Sequence, residues 1–236
     1  MKRTSFFLLM FLCVFPCSGS LFAGDIAVFQ NLGFSPDARY FMFAQHGITE
    51  KNSAPYAELY VVEVAANRFA PEGTHTLQDS GSPQPAAVQP GQDGLGALFT
   101  LLEKQTAVTK RYRIDHLQTG RLLYIHLNGE PPRETLEFRD FESGKRYNIE
   151  LAQSASGSGA EIKASFHLRV TITDAAGSAS AHTVGLPDYW RRGVKSYRLK
   201  QVLLGPDEHS LAFVVEKEET DTSGANIRYM VETLKP

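Results

Sequence analysis

Asp188-Tyr189-Trp190-Arg191-Arg192 is the stretch of this chain whose residue types are best suited to work at a surface. It holds the only tryptophan in the sequence, beside a tyrosine and two arginines. Large rigid rings and planar guanidinium groups make many contacts at a small loss of conformational freedom, and they concentrate at binding hot spots. Tyr189, Trp190, Arg191 and Arg192 are therefore the candidate binding residues. The same composition also suits a purely structural loop, with the tryptophan plugging one end of a sheet core and the arginines meeting surface acids.

The other chemistry-bearing residues are dispersed. The histidines stand at 46, 75, 116, 126, 167, 182 and 209, and no two have the i, i+4 spacing that places ligands on one helix face. His167 and His182 fall on the two arms of one expected hairpin and are the only pair placed to meet; as two solvated side chains they need no ligand. Asp221 to Asn226 lacks the spacing and the closing Glu of a calcium loop. No metal site and no cofactor is predicted. The sequence contains no nucleophile elbow, no His-Glu-x-x-His and no glycine-rich phosphate loop. Paired carboxylates are the one catalytic chemistry left open, since two of 26 acids can meet in space without any local signature. A hydrolase of envelope glycan or peptide is thus the alternative to a binding role, with no catalytic residue assigned.

The start of the chain addresses it for export. Met1-Lys2-Arg3 precedes an apolar run from Phe6 to Phe15, and the small residues Ser18-Gly19-Ser20 follow. This is the layout of a secretory signal peptide, expected to span 1–23 with cleavage after Ala23, or after Ser20 as the alternative. Both cysteines, Cys13 and Cys17, lie inside it. The mature chain then has no disulfide, no thiolate nucleophile and no cysteine-based metal site. Lipidation of Cys17 is the alternative, although Val14-Phe15-Pro16-Cys17 is a poor acceptor with proline directly before the cysteine. Loss of Lys2 and Arg3 leaves 22 basic residues of the original 24 against 26 acidic ones, a net charge of −4. That field does not attract nucleic acid. No later stretch is long enough to span a membrane. The expected product is a periplasmic or secreted protein, residues 24–236 forming one β-rich domain, with an envelope protein or glycan as partner and no oligomeric state implied.

The elements that position the candidate loop are mostly strands. Residues 26–64 align with 196–234 at a constant offset of 170 and without a gap. Phe34-Ser35-Pro36-Asp37-Ala38 falls on Leu204-Gly205-Pro206-Asp207-Glu208, each an apolar strand end followed by a Pro-Asp turn. Each unit is read as three strands with a long polar connection between the second and third, and the turn at Ala66-Asn67-Arg68 closes the first. A fixed offset between units of this size suggests blades or a related array. The Pro-Asp-x-x-x pattern resembles the repeats of TolB-type β-propellers, which usually carry glycine where Ala38 and Glu208 stand. That resemblance implies a blade-like β unit and no activity.

Between the two units, residues 78–93 contain Pro83, Pro85 and Pro90 and read as a flexible linker loop. Leu95, Leu98, Phe99 and Leu102 then fall on one helical face, so 94–118 is a helical insertion, one bent helix or two short ones. Asp93 is placed to cap its start and Gly120 its end, and Lys110, Arg111 and Arg113 belong on its solvated face. Strands follow at 122–127, running into the Asn128-Gly129 turn signal, and at 136–141 and 146–151. The clearest strand is 161–173: Ile162, Ala164, Phe166, Leu168, Val170 and Ile172 alternate with Glu161, Lys163, Ser165, His167, Arg169, Thr171 and Thr173. Strict alternation of this length means one dry and one wet face. The fold class is mainly antiparallel β in blade-like units, an irregular or incomplete propeller, with a β-sandwich as the alternative and the terminal units as neighbours.

Taken together, Leu95-Gly96-Ala97-Leu98-Phe99, Arg121-Leu122-Leu123-Tyr124 and Val184-Gly185-Leu186-Pro187-Asp188-Tyr189-Trp190-Arg191 resemble an uncharacterised family of predicted secreted proteins found mainly in spirochaetes. The resemblance implies export. It carries no activity and no site residues.

Overall fold

The structure, a computed structural model, describes residues 25–49, 53–78, 93–221 and 224–236. The expected signal peptide with Cys13 and Cys17, nearly all of the 78–93 linker and the tip of the Asp221 to Asn226 loop lie outside the described residues.

The first sheet is an antiparallel meander of β1 (Val28–Phe34), β2 (Tyr40–Ile48), β3 (Pro55–Glu63) and β4 (Arg68–Gln78). Helices α1 (Leu95–Lys104) and α2 (Thr106–Arg111) follow. The chain continues through β5 (Arg121–Ile125), β6 (Thr135–Arg139), β7 (Arg146–Ser156), β8 (Lys163–Thr173), β9 (Ala179–Gly185) and β10 (Arg191–Arg192). It ends with β11 (Val194–Leu204), β12 (Leu211–Asp221) and β13 (Gly224–Leu234). The second sheet runs β6-β7-β8, and both β9 and the short β10 pair with the far edge of β8. The third runs β13-β12-β11-β5. Every strand pair is antiparallel.

Burial decides how these sheets stack. In β12, Leu211, Phe213 and Val215 pack into a core shared with Phe166, Leu168 and Val170 of β8. The alternate residues Ala212 and Val214 pack against Phe34, Phe41 and Phe43 of the first sheet. A strand with both faces dry needs an unbroken apolar run, and Leu-Ala-Phe-Val-Val supplies it. The first sheet is likewise two-sided: Met42, Ala44, Leu59 and Val61 meet Leu98 and Leu101 of α1. The layers are therefore helices, first sheet, third sheet, second sheet. The expected antiparallel units are present, but they stack face to face and no ring closes among the described residues. Closure by radial repetition takes four or more blades.

The terminal units are neighbours, as expected. The Gln45 side-chain carbonyl accepts the Tyr229 N–H at 2.7 Å, and the Asn67 side-chain carbonyl accepts the Thr233 N–H at 2.7 Å. Arg228 pairs with Asp25 at 2.6 Å.

Several local expectations are corrected. A fourth strand, β4, follows what was read as the closing turn of the first unit. Its alternation is broken by Pro71, by a left-handed Glu72 and by a register shift opposite Tyr60 and Val62, and an edge strand is where a proline and a bulge are tolerated. Strands β2 and β3 extend further than read, so their connection shrinks to residues 49–54. In α1 the buried residues are Leu98 and Leu101, while Phe99 is 61% exposed. The Asp93 carboxylate does accept the N–H of Leu95 at 3.0 Å.

Gly120 does not end the helices. Arg113 does, in the left-handed region at φ 53°. Its N–H reaches the Lys110 carbonyl at 3.1 Å and the Ile114 N–H reaches Thr109 at 3.0 Å, the paired bonds of a Schellman ending. Gly120 instead passes so close to the third sheet that a Cβ there would lie 2.6 Å from the Leu204 carbonyl oxygen. It feeds β5 into that sheet, where β5 pairs with β11 rather than with the strand that follows it.

Candidate functional site

The candidate loop is anchored by the two residues of β10. Arg191 lies opposite Ala164 and Arg192 opposite Lys163. Residues opposite each other in a sheet share a face. Arg191 therefore points inward with Ala164, and Arg192 points outward with Lys163. The Arg191 guanidinium carbon sits 4.8 Å from the Tyr189 ring centroid, 5.4 Å from Phe166 and 5.9 Å from Tyr197. All three lie within cation–π range. One terminal nitrogen of the group is buried without a hydrogen-bond partner. The residue that plugs the end of the core is thus Arg191 and not the tryptophan.

Gly193 makes this arrangement possible. Its N–H bonds the Ile162 carbonyl at 2.8 Å and its carbonyl accepts the Thr220 N–H at 2.8 Å. With φ 75° it turns the chain from the second sheet into β11 of the third. Behind the loop, Glu232 of β13 is buried and accepts a 2.5 Å hydrogen bond from the Asn67 side-chain amide. Burial pushes its carboxyl above the usual value, with Asn67 and the positive charge of Arg191 pulling the other way.

Trp190 and Tyr189 remain outside, 40% and 55% exposed. The Lys163 ammonium stands 5.5 Å from the Trp190 ring centroid. Lys163 begins the row Lys163, Ser165, His167, Arg169 on the outward face of β8, where Ser165 is nonetheless buried. That row borders an open groove of about 450 Å³, lined among others by Glu134, Glu150, Ser165, His167, Arg169 and Asp188. Glu150 and Arg169 face each other across β7 and β8 and pair at 2.5 Å. The loop and the groove are contiguous, because Pro187 and Asp188 form part of the groove wall.

Sequence reasoning located the loop but not the groove. The signal was present in the strict alternation of β8, which puts Ser165, His167 and Arg169 on one face. What it lacked was the return of the 186–190 loop across that face. His167 and His182 do not meet: His167 lies opposite Gly185, whereas His182 lies opposite the inward-facing Val170. Among the described residues, no group of three or more His, Cys, Asp or Glu gathers to hold a metal ion.

Two other features are structural in character. A concavity of about 530 Å³ opens between the start of α1 and the first sheet, and its wall includes Gln78 and Asp93, the residues that flank the undescribed 79–92 stretch. Asp93 is already engaged there, through its carboxylate to Leu95 and through its carbonyl to the buried His46 ring at 2.8 Å. Arg121 of β5 binds Asp140 through two contacts at 2.6 and 3.0 Å and reaches Glu208 at 3.0 Å. It thereby ties the β6–β7 turn to the β11–β12 turn.

A family model described as "Predicted secreted protein (DUF2259)" covers residues 42–235. No curated protein and no solved structure matches, and the expected likeness to TolB-type propeller repeats is not shown.

Proposed function

The chain belongs to the DUF2259 family of predicted secreted proteins, and from that premise we propose that it is a non-enzymatic binding protein of the periplasm or cell exterior, contacting an envelope macromolecule through Tyr189, Trp190 and the adjoining groove. The observation that carries this reading is the contrast within the loop. Arg191 is clamped between Phe166 and Tyr197 of the core and the ring of Tyr189, yet Tyr189 and Trp190 themselves remain about half exposed. Burying exposed rings of this size is favourable, and a loop already held in place loses little freedom on contact. Arg192 shares the outward face and extends the surface. Among the described residues no helix is long and apolar enough to cross a membrane.

A second reading rests on the carboxylates of the groove, Glu134, Glu150 and Asp188. They would serve a hydrolase using paired acids. Glu150 is committed to Arg169, which favours binding over catalysis.

Co-sedimentation of the purified chain with intact cell envelopes tests both. The wild-type chain is expected to pellet with the envelopes, and a Tyr189→Ala/Trp190→Ala double variant with an unchanged melting temperature is expected to stay in solution. Equal pelleting of the two would move the contact elsewhere. Release of soluble fragments by the wild type, abolished by Glu134→Gln or Asp188→Asn, would replace the binding reading with the hydrolase.

A further inference from the structure

We propose that the occupant of the groove is a glycan chain, neutral or amino-bearing, with Trp190 as its stacking platform; this rests on the binding role argued above and names its ligand class. The groove and its margin offer two kinds of surface. Its floor carries both donors and acceptors: Ser165 and His167, the guanidinium of Arg169, and the carboxylates of Glu134, Glu150 and Asp188. Beyond this lining, at the Lys163 end of the row, stands the Trp190 ring, 40% exposed, with the Lys163 ammonium 5.5 Å from its centroid.

A pyranose ring presents the matching pair of surfaces. Its axial C–H faces lie flat against an indole, and its equatorial hydroxyls both donate and accept hydrogen bonds around the rim. A folded peptide epitope would need an apolar socket for its anchor residues, and this groove offers polar side chains instead. An extended peptide adding a strand would need a free sheet edge, whereas these residues project from a sheet face. From Lys163 to Arg169 the row spans six residues, about 20 Å at 3.3 Å per residue. That length suits several sugar rings in line rather than one.

Charge narrows the class. Within the groove itself three carboxylates face one guanidinium, Arg169, which is already paired to Glu150, while the cations Lys163 and Arg192 stand outside its lining at the Trp190 end. A polyanionic glycan would meet uncompensated acid, whereas a neutral or amino-bearing chain would not.

Trp190 is the only tryptophan of the chain, so intrinsic emission reports on this site alone. The experiment titrates the purified mature chain with soluble oligosaccharides of three kinds: a neutral glucan hexamer, a hexamer of N-acetylglucosamine or its deacetylated form, and a uronic-acid hexamer. Emission is followed for the wild type, and calorimetry for the variants. A saturable emission change with a neutral or amino hexamer is expected, weaker or absent with the acidic one. Trp190→Ala should weaken binding roughly tenfold, the scale of one lost stacking partner, and Arg169→Ala should weaken it with a smaller loss.

No response to any hexamer, with envelope co-sedimentation intact and abolished by protease treatment of the envelopes, would overturn the glycan and leave a protein partner at the same loop. Loss of both responses would sink the binding role itself. Preference for the acidic hexamer would also overturn the proposal.

Discussion

Ala38 and Glu208 share one backbone conformation in the two Pro-Asp turns, φ 52° at the first and 55° at the second. Each turn is closed in the same way, by Ser35 N–H to the Tyr40 carbonyl at 2.9 Å and by Gly205 N–H to the Ser210 carbonyl at 2.7 Å. The left-handed region costs a residue with a Cβ roughly 1–2 kcal/mol, a cost that glycine avoids.

Ala38 is fully buried as well. Ala38→Gly should therefore leave stability unchanged or raise it by up to about 1 kcal/mol, as relief of strain outweighs one lost methyl. Ala38→Val should cost roughly 2–4 kcal/mol through the left-handed backbone and overpacking together. Urea unfolding of both variants checks the pair, and equal effects would remove the backbone from the explanation.

The Arg121–Asp140 pair makes the fold sensitive to acid. The Arg121 guanidinium holds the Asp140 carboxyl well below its usual value of 3.8, helped by Ser143. A depressed carboxylate contributes stability in full above its unfolded value and loses it as pH falls through the folded one. Asp140→Asn should cost about 2–4 kcal/mol at pH 7, because it removes one partner of a largely buried pair. The gap between variant and wild type should stay open down to about pH 4 and close progressively below it. Denaturant midpoints at pH 7 and at about pH 2 measure it.

Glu232 has the opposite sign. Burial raises its carboxyl above 4.5, so the native state holds the proton more tightly than the unfolded chain. Stability must then fall as pH rises from 4.5 through the raised folded value. Glu232→Gln keeps an acceptor for the Asn67 amide and removes the charge. It should match or exceed wild type at pH 7 and show a flatter stability profile between pH 4.5 and 7. Thermal melts across that range decide it, and a variant less stable than wild type at pH 7 would refute the account.

Arg191 points inward and holds the loop among Phe166, Tyr189 and Tyr197. Arg191→Ala should cost about 1–2 kcal/mol through the lost ring contacts, and it should free Tyr189 and Trp190 to move. Trp190 anisotropy should drop even where the fold persists. Arg191→Lys should fail to restore it, because an ammonium does not stack on three rings as a planar guanidinium does. Full rescue by lysine would reduce the role to charge alone.

How much of this was legible beforehand follows from the range of each force. The strict alternation from Lys163 to Thr173 assigned a dry and a wet side to β8; Ala164, Phe166, Leu168 and Val170 are buried as read, whereas Ser165 on the other side is buried as well and the contrast fades from Thr171 onward. The Pro-Asp turns, the β6–β7 hairpin and the helical pair near 95–111 are also local in origin, set by turn residues and by period within a few neighbours. Strand partnership is not local. β5 joins β11 across the whole second sheet because Gly120 steers it there, and β4 hid behind its proline and bulge.

The candidate site divides along the same line. Sequence alone picked out Tyr189, Trp190, Arg191 and Arg192 as residues with the chemistry to bind. Only the tertiary structure decided which of them enters the core. That choice depends on the register of a two-residue strand against Ala164 and Lys163, and a slip of one residue would exchange the faces. Register is settled by burial against distant strands and by the turn at Gly193, and a linear sequence states neither.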